Sequence, residues 1–201
     1  MADGEGWPTS TDNPAVRRLS DWPAEPLRDL ADEFGTPLYA LDLDRVKANT
    51  GRLRSAFPEA DLSYAVKANT TRPVLETLAN RGGTLGADAA GEVQRSLAAG
   101  FPPHRVRYTA VNPPARDLDY VCGLDDAGGM ILTVGAMDTL NRVAERGFDG
   151  RLCVRINPGV GAGHHAKVST GAEPKFGVPY DRAATVARRA ADRGFELVGL
   201  H

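Results

Sequence analysis

Strand-like runs begin near Leu62, Thr84, Arg105, Met130, Arg151 and Glu196, and the first five starts lie 22, 21, 25 and 21 residues apart. This regular return constrains the fold more than any other feature of the chain. Between most of the runs the apolar residues take helical spacing, over 72–81, 90–99, 136–146 and 180–193, and residues 115–122 supply a less distinct helix before Met130. Strands alternating with helices at this interval build βαβ units and therefore a parallel sheet. The run Ile131-Leu132-Thr133-Val134 reads as apolar on both faces, which predicts a sheet covered on both sides. An eight-fold (β/α) barrel and an open doubly wound sheet both fit. Upstream, residues 25–34 read as an amphipathic helix stopped by Gly35, 36–42 as a strand, and 43–57 as a helix ended by Pro58.

The interval from Arg151 to Glu196 is 45 residues, and the excess falls in 157–178, rich in Gly, His, Lys and Ser. A long polar loop after a strand is where a barrel builds its active site. The sixth strand-like run ends at His201, the last of 201 residues. A closed barrel of this type has eight strands and about 250 residues, so about six of eight strands are expected here. Six would leave two bare edges, so the chain is expected to be part of a longer barrel.

With 24 basic and 26 acidic residues the net charge is -2, which argues against nucleic acid or an anionic membrane as the main partner. The two cysteines, Cys122 and Cys153, suggest neither a disulfide nor a zinc framework, and Cys153 is expected to be a buried free thiol. Residues 1–14 are polar and lack the pattern of a signal peptide, and no apolar stretch approaches membrane-spanning length. A cytoplasmic protein with a mobile segment over 1–24 is the expectation.

Lys67 follows a short apolar run in Ser63-Tyr64-Ala65-Val66-Lys67-Ala68-Asn69. A lysine there can point its amine into a barrel mouth, where it can attack a carbonyl and form a Schiff base. Taken alone, a solvated lysine flanking a strand explains it as well. Arg155, in Arg151-Leu152-Cys153-Val154-Arg155-Ile156-Asn157-Pro158-Gly159, lies among apolar residues. Such an arginine either pairs with a carboxylate on a neighbouring strand or sits at the barrel mouth beside a cofactor. In Gly86-Ala87-Asp88-Ala89-Ala90-Gly91-Glu92, helix capping alone explains Glu92, while Asp88 can face the mouth. The glycines of 159–163 precede no prompt helix, so they make a poor dinucleotide loop. His164 and His165 lack a third ligand at metal spacing. Lys175, with Ser169 and Thr170, is either an anion contact or a solvated loop charge.

Tyr-Ala-Val-Lys-Ala-Asn at 64–69, Arg-Ile-Asn-Pro-Gly at 155–159, Lys-Phe-Gly at 175–177 and Gly-Leu-His at 199–201 occur in order. As a set they resemble the decarboxylases dependent on pyridoxal phosphate (PLP) that have an alanine-racemase-like barrel. Within that group, Gly163-His164-His165-Ala166-Lys167-Val168-Ser169-Thr170-Gly171 is most similar to the diaminopimelate decarboxylases. The resemblance implies a partial PLP-binding barrel over 43–201, with Lys67 as the Schiff-base lysine and catalytic residue, and Arg155 and Asp88 beside the cofactor. The acid is displaced from the family's pattern, which has it six positions before the residue matching Glu92, where this chain has Gly86. The implied reaction of the full-length protein is decarboxylation of meso-diaminopimelate to L-lysine. Residues 25–42 would join a second, β-rich domain formed mostly by the family's C-terminal half, and the full-length protein would be a homodimer. The family's ring-stacking histidine lies two positions past the match to His201, so the 201-residue chain alone is expected to be inactive. The alternatives are a non-catalytic PLP-binding or decayed fragment, or a related ornithine or arginine decarboxylase or racemase. The 159–177 loop argues against the last group.

Overall fold

The computed structural model describes residues 24–159 and 176–201. Two helices lead, α1 (Ala24–Phe34) and α2 (Leu43–Ala56). The alternating part follows as β1 (Ser63–Ala65), α3 (Arg72–Ala79), β2 (Thr84–Ala87), α4 (Ala90–Ala98), β3 (Val106–Tyr108), α5 (Ala115–Cys122), β4 (Ile131–Val134), α6 (Met137–Ala144) and β5 (Arg151–Val154). The chain then forms β6 (Ile156–Asn157), β7 (Val178–Pro179), α7 (Tyr180–Asp192) and β8 (Glu196–Leu200). Local chemistry explains the boundaries. Asp42 caps α2 by accepting from the Arg45 backbone N–H at 2.9 Å, and Pro73 stands in the first turn of α3, where its missing N–H costs nothing.

All six expected strand starts are met to within a residue, and 115–122 is indeed helical. The six strands form one parallel sheet in the order β1-β2-β3-β4-β5-β8, and β6 pairs with β7 in a small parallel ladder of its own. The sheet order never reverses. Right-handed crossovers that always step the same way put every connecting helix on one face. An open doubly wound sheet needs a reversal and is excluded; the architecture is that of a partial (β/α) barrel.

One expectation is corrected here. Helices cover only one face of the sheet. Leu85, Ala87, Val106, Tyr108, Leu132, Val134, Leu152 and Val154 are buried against them. The alternate residues, among them Gly86, Arg107, Ile131 and Cys153, line a cavity on the other face. Cys153 is therefore half-buried rather than a core thiol, because strand alternation between Leu152 and Val154 turns it to the cavity. A second correction concerns 36–42. This segment forms no ladder among the described residues, and Tyr39 and Leu41 are exposed. A strand exists only where another strand takes its backbone hydrogen bonds, so the apolar run within 36–42 is not enough to make one.

Leu132 stands opposite Tyr108 on β3 and Leu152 on β5 and is 1% exposed. Leu132→Ala should destabilise the chain by about 2–5 kcal/mol, read as a lower midpoint in urea with an unchanged slope.

Candidate active site

The C-terminal ends of a one-way parallel sheet all lie at one end, so residues just past each strand converge there. β1 stops at Ala65 and the chain turns through a single 3-10 turn, Val66–Ala68. Val66 is fully buried and anchors that turn, which leaves Lys67 free to face the cavity. Asn69 closes the turn by accepting from the Thr71 backbone N–H at 2.8 Å and the Thr71 hydroxyl at 2.6 Å. Lys67 thus sits on a turn after the strand rather than on the strand itself.

Its Nζ donates to Asp88 Oδ2 at 2.7 Å. Both side chains are substantially exposed, 64% and 40%, so the ion pair adds little to stability and its significance is positional. Asp88 Oδ1 accepts from the Thr109 hydroxyl at 2.7 Å, and the Asp88 backbone N–H donates to Glu92 Oε2 at 2.7 Å. Glu92 therefore serves the start of α4, as expected. Burial pushes the Asp88 carboxyl up, but the hydrogen bonds from Lys67 and Thr109 and the charges of Lys67 and Arg155 outweigh it, so the group is held below its ordinary value.

Arg155 occupies the step between β5 and β6. Its N–H donates to the Val134 carbonyl at 2.9 Å and its carbonyl accepts from Val178 at 2.8 Å, while its guanidinium lies over the Phe176 ring, 5.1 Å from the centroid. No carboxylate among the described residues forms an ion pair with it, so of the two roles open to Arg155, the place at the mouth is the one the fold supplies. Gly177 makes this crossing possible. Its φ is +88°, and a Cβ there would lie 2.9 Å from the Asn157 nitrogen and from the Ile156 carbonyl carbon.

His201 completes this wall. Its N–H donates to the Val154 carbonyl at 2.9 Å and its own carbonyl accepts from Ile156 at 2.7 Å. Burial, then the Arg155 charge, push its imidazole below the ordinary value, with Lys67 acting in the same direction and Asp88 opposing. Lys67, Arg107, Thr109, Thr133, Cys153, Arg155 and His201 share one cavity of about 590 Å³, a size typical of cofactor sites. Three of these residues are cationic. Arg107 is paired with Asp61, ahead of β1, at 3.8 Å, so Arg155 is the cation left beside the amine. An amine facing an open cavity with an arginine beside it suits an anionic, carbonyl-bearing cofactor, so the residues present fit PLP.

The three residues singled out from the sequence, Lys67, Asp88 and Arg155, are thus brought to one end of the sheet. Arg107, Thr109 and Thr133 were not singled out. Their signal was present as polar residues at alternate positions of apolar strands, such as Val106-Arg107-Tyr108-Thr109. His164, His165, Ser169, Thr170 and Lys175 lie outside the described residues, as does most of the 1–24 segment. Among the described residues no group of three or more His, Cys, Asp or Glu is placed to hold a metal ion, and no helix is long and apolar enough to cross a membrane.

Residues 43–201 match the family described as pyridoxal-dependent decarboxylase, pyridoxal binding domain. The chain belongs to this family, and its cofactor is pyridoxal 5'-phosphate. It is 42% identical over 179 residues to the diaminopimelate decarboxylase of Methanothermobacter thermautotrophicus, covering 86% of this chain and 41% of that protein. It is 36% identical over 173 residues to that of Vibrio cholerae, covering 82% and 40%. The chain therefore spans about two-fifths of the length of these relatives. Among solved structures, diaminopimelate decarboxylase from Helicobacter pylori complexed with L-lysine superposes with a TM-score of 0.78 at 29% identity, covering 87% of this chain and 46% of that one. The arginine decarboxylase of Paramecium bursaria Chlorella virus, at 18% identity and a TM-score of 0.73 over 88% and 47%, shares the fold.

The electrostatics of this wall can be read from His201. Its titration midpoint by proton NMR should lie below 6.5, rise in Arg155→Met and fall in Asp88→Asn. The imidazole's affinity for a proton is weaker in the folded state, so its contribution to stability is intact above pH 6.5 and is lost as pH falls through the folded midpoint.

Proposed function

We propose that Lys67, Asp88 and Arg155 form the cofactor end of the active site of a PLP-dependent decarboxylase that converts meso-diaminopimelate to L-lysine. The observation that carries this reading is the Lys67 amine, paired with Asp88, on the wall of a cavity that also holds Arg155. The relatives named diaminopimelate decarboxylase support the choice of substrate. When bound, PLP supplies an electron sink for the negative charge left by loss of the carboxylate. Lys67 Nζ is the amine that would hold the cofactor through its carbonyl group. Asp88 Oδ2 orients that amine and accepts its hydrogen bond. Arg155, against the Phe176 ring, contributes positive charge beside an anionic ligand and adds a little to the hydrogen bonds from Lys67 and Thr109 that hold the Asp88 carboxyl below its ordinary value. In this reading residues 25–42 join a β-rich domain, which accounts for the unpaired and exposed Tyr39 and Leu41. The protein acts as a homodimer in the cytoplasm.

Incubating the chain with PLP, reducing with borohydride and mapping peptides by mass spectrometry should place the label on Lys67, and Lys67→Ala should take none there. Label spread over surface lysines, with Lys67 no more reactive than the rest, would sink the assignment. The substrate is tested with the full-length product. Carbon dioxide release from meso-diaminopimelate should exceed that from ornithine or arginine by about a hundredfold or more, because a site built to bind the second carboxylate of diaminopimelate is left with unpaired polar groups by substrates whose far end carries only an amine or a guanidinium. Equal turnover of ornithine would replace the diaminopimelate reading.

A further inference from the structure

Asp88 follows the last residue of β2 and so has no strand to hold it. Its side chain is 40% exposed, and its partner Lys67 is a long, flexible chain that is 64% exposed. Two such groups do not hold each other in one geometry unaided. Something more rigid must set the carboxylate. Thr109 meets that need. Its backbone N–H donates to the Ala87 carbonyl at 2.8 Å, which locks it beside Asp88 across the β2–β3 boundary. Its hydroxyl has one proton and two acceptors in reach, Asp88 Oδ1 at 2.7 Å and the Ala87 carbonyl at 3.4 Å, and the shorter contact takes the proton. Threonine is β-branched and stiff at χ1, so the donor is aimed before the carboxylate arrives.

We infer that Thr109 is a positioning residue, whose hydroxyl fixes one Asp88 oxygen so that the other is presented to the Lys67 amine. The division of labour is geometric. Glu92 holds the Asp88 backbone, Thr109 takes Oδ1, and Oδ2 is left for Lys67. Loss of the Thr109 donor frees the carboxylate to rotate and removes one of the bonds that favour its ionised form. The inference rests on the reading of Lys67 as the cofactor lysine only for its consequence in cofactor capture; the arrangement of Asp88 stands apart from it.

The test uses Thr109→Val, which keeps the shape and removes the donor, and Thr109→Ser, which restores it. Two quantities are read on the chain: the titration midpoint of the Asp88 carboxyl by carbon NMR, and the rate at which Lys67 is captured by PLP, by absorbance and borohydride trapping. Thr109→Val should raise the Asp88 midpoint and slow capture about three- to tenfold, the worth of one exposed hydrogen bond to a charged group, and Thr109→Ser should keep both near the starting values. A folded Thr109→Val protein in which both are unchanged overturns the inference. Thr109→Ala serves as the donor-free variant if Thr109→Val loses its circular dichroism. If the unaltered chain captures no PLP at Lys67, the proposed function fails, and the Asp88 midpoint alone then decides the role of Thr109.

Discussion

The unreversed order of parallel strands is the constraint on which everything else in this chain depends. Each crossover steps the same way, so the helices gather on one side of the sheet and the strand ends gather at one end of it. The first consequence makes a core from Leu85, Val106, Leu132 and Leu152 against the helices. The second brings residues from all six strands of the sheet, far apart in sequence, to the wall of one cavity. A single reversal would have divided the helices between both faces and scattered the same residues.

Within that frame the site is organised by charge. Three cations, Lys67, Arg107 and Arg155, line the cavity; Asp88 stands against Lys67, and Asp61 against Arg107. The ion pair is too exposed to matter much for stability. What it does is direct an amine. The fixed parts lie behind it: buried Val66 under the Lys67 turn, and Gly177 at a backbone crossing no side chain would fit. The flexible groups face the cavity and the stiff ones face the protein, which suits a site that must admit a ligand and then hold it.

Much of this was legible in the chain as written. The spacing of apolar runs located the strands, because a βαβ unit needs a nearly fixed length of chain to go out along a helix and return. Lys67 and Arg155 could be marked because each breaks an apolar strand pattern with a cation. Residues 36–42 read as a strand from their apolar run, but a strand is a relation between two segments, and no segment among the described residues pairs with them. Cys153 was misplaced because an apolar run alone does not say which face is covered.

What the sequence by itself determined was the succession of elements and the residue types available for chemistry, since local periodicity, caps and turn residues act over a few positions. What only the tertiary structure decided was which face of the sheet is dry, which strand stands beside which, and hence that Thr109 meets Asp88 and Asp88 meets Lys67, contacts spanning 21 residues each. Those meetings depend on the order and register of hydrogen-bonded strands, a property of the whole sheet that no single segment encodes.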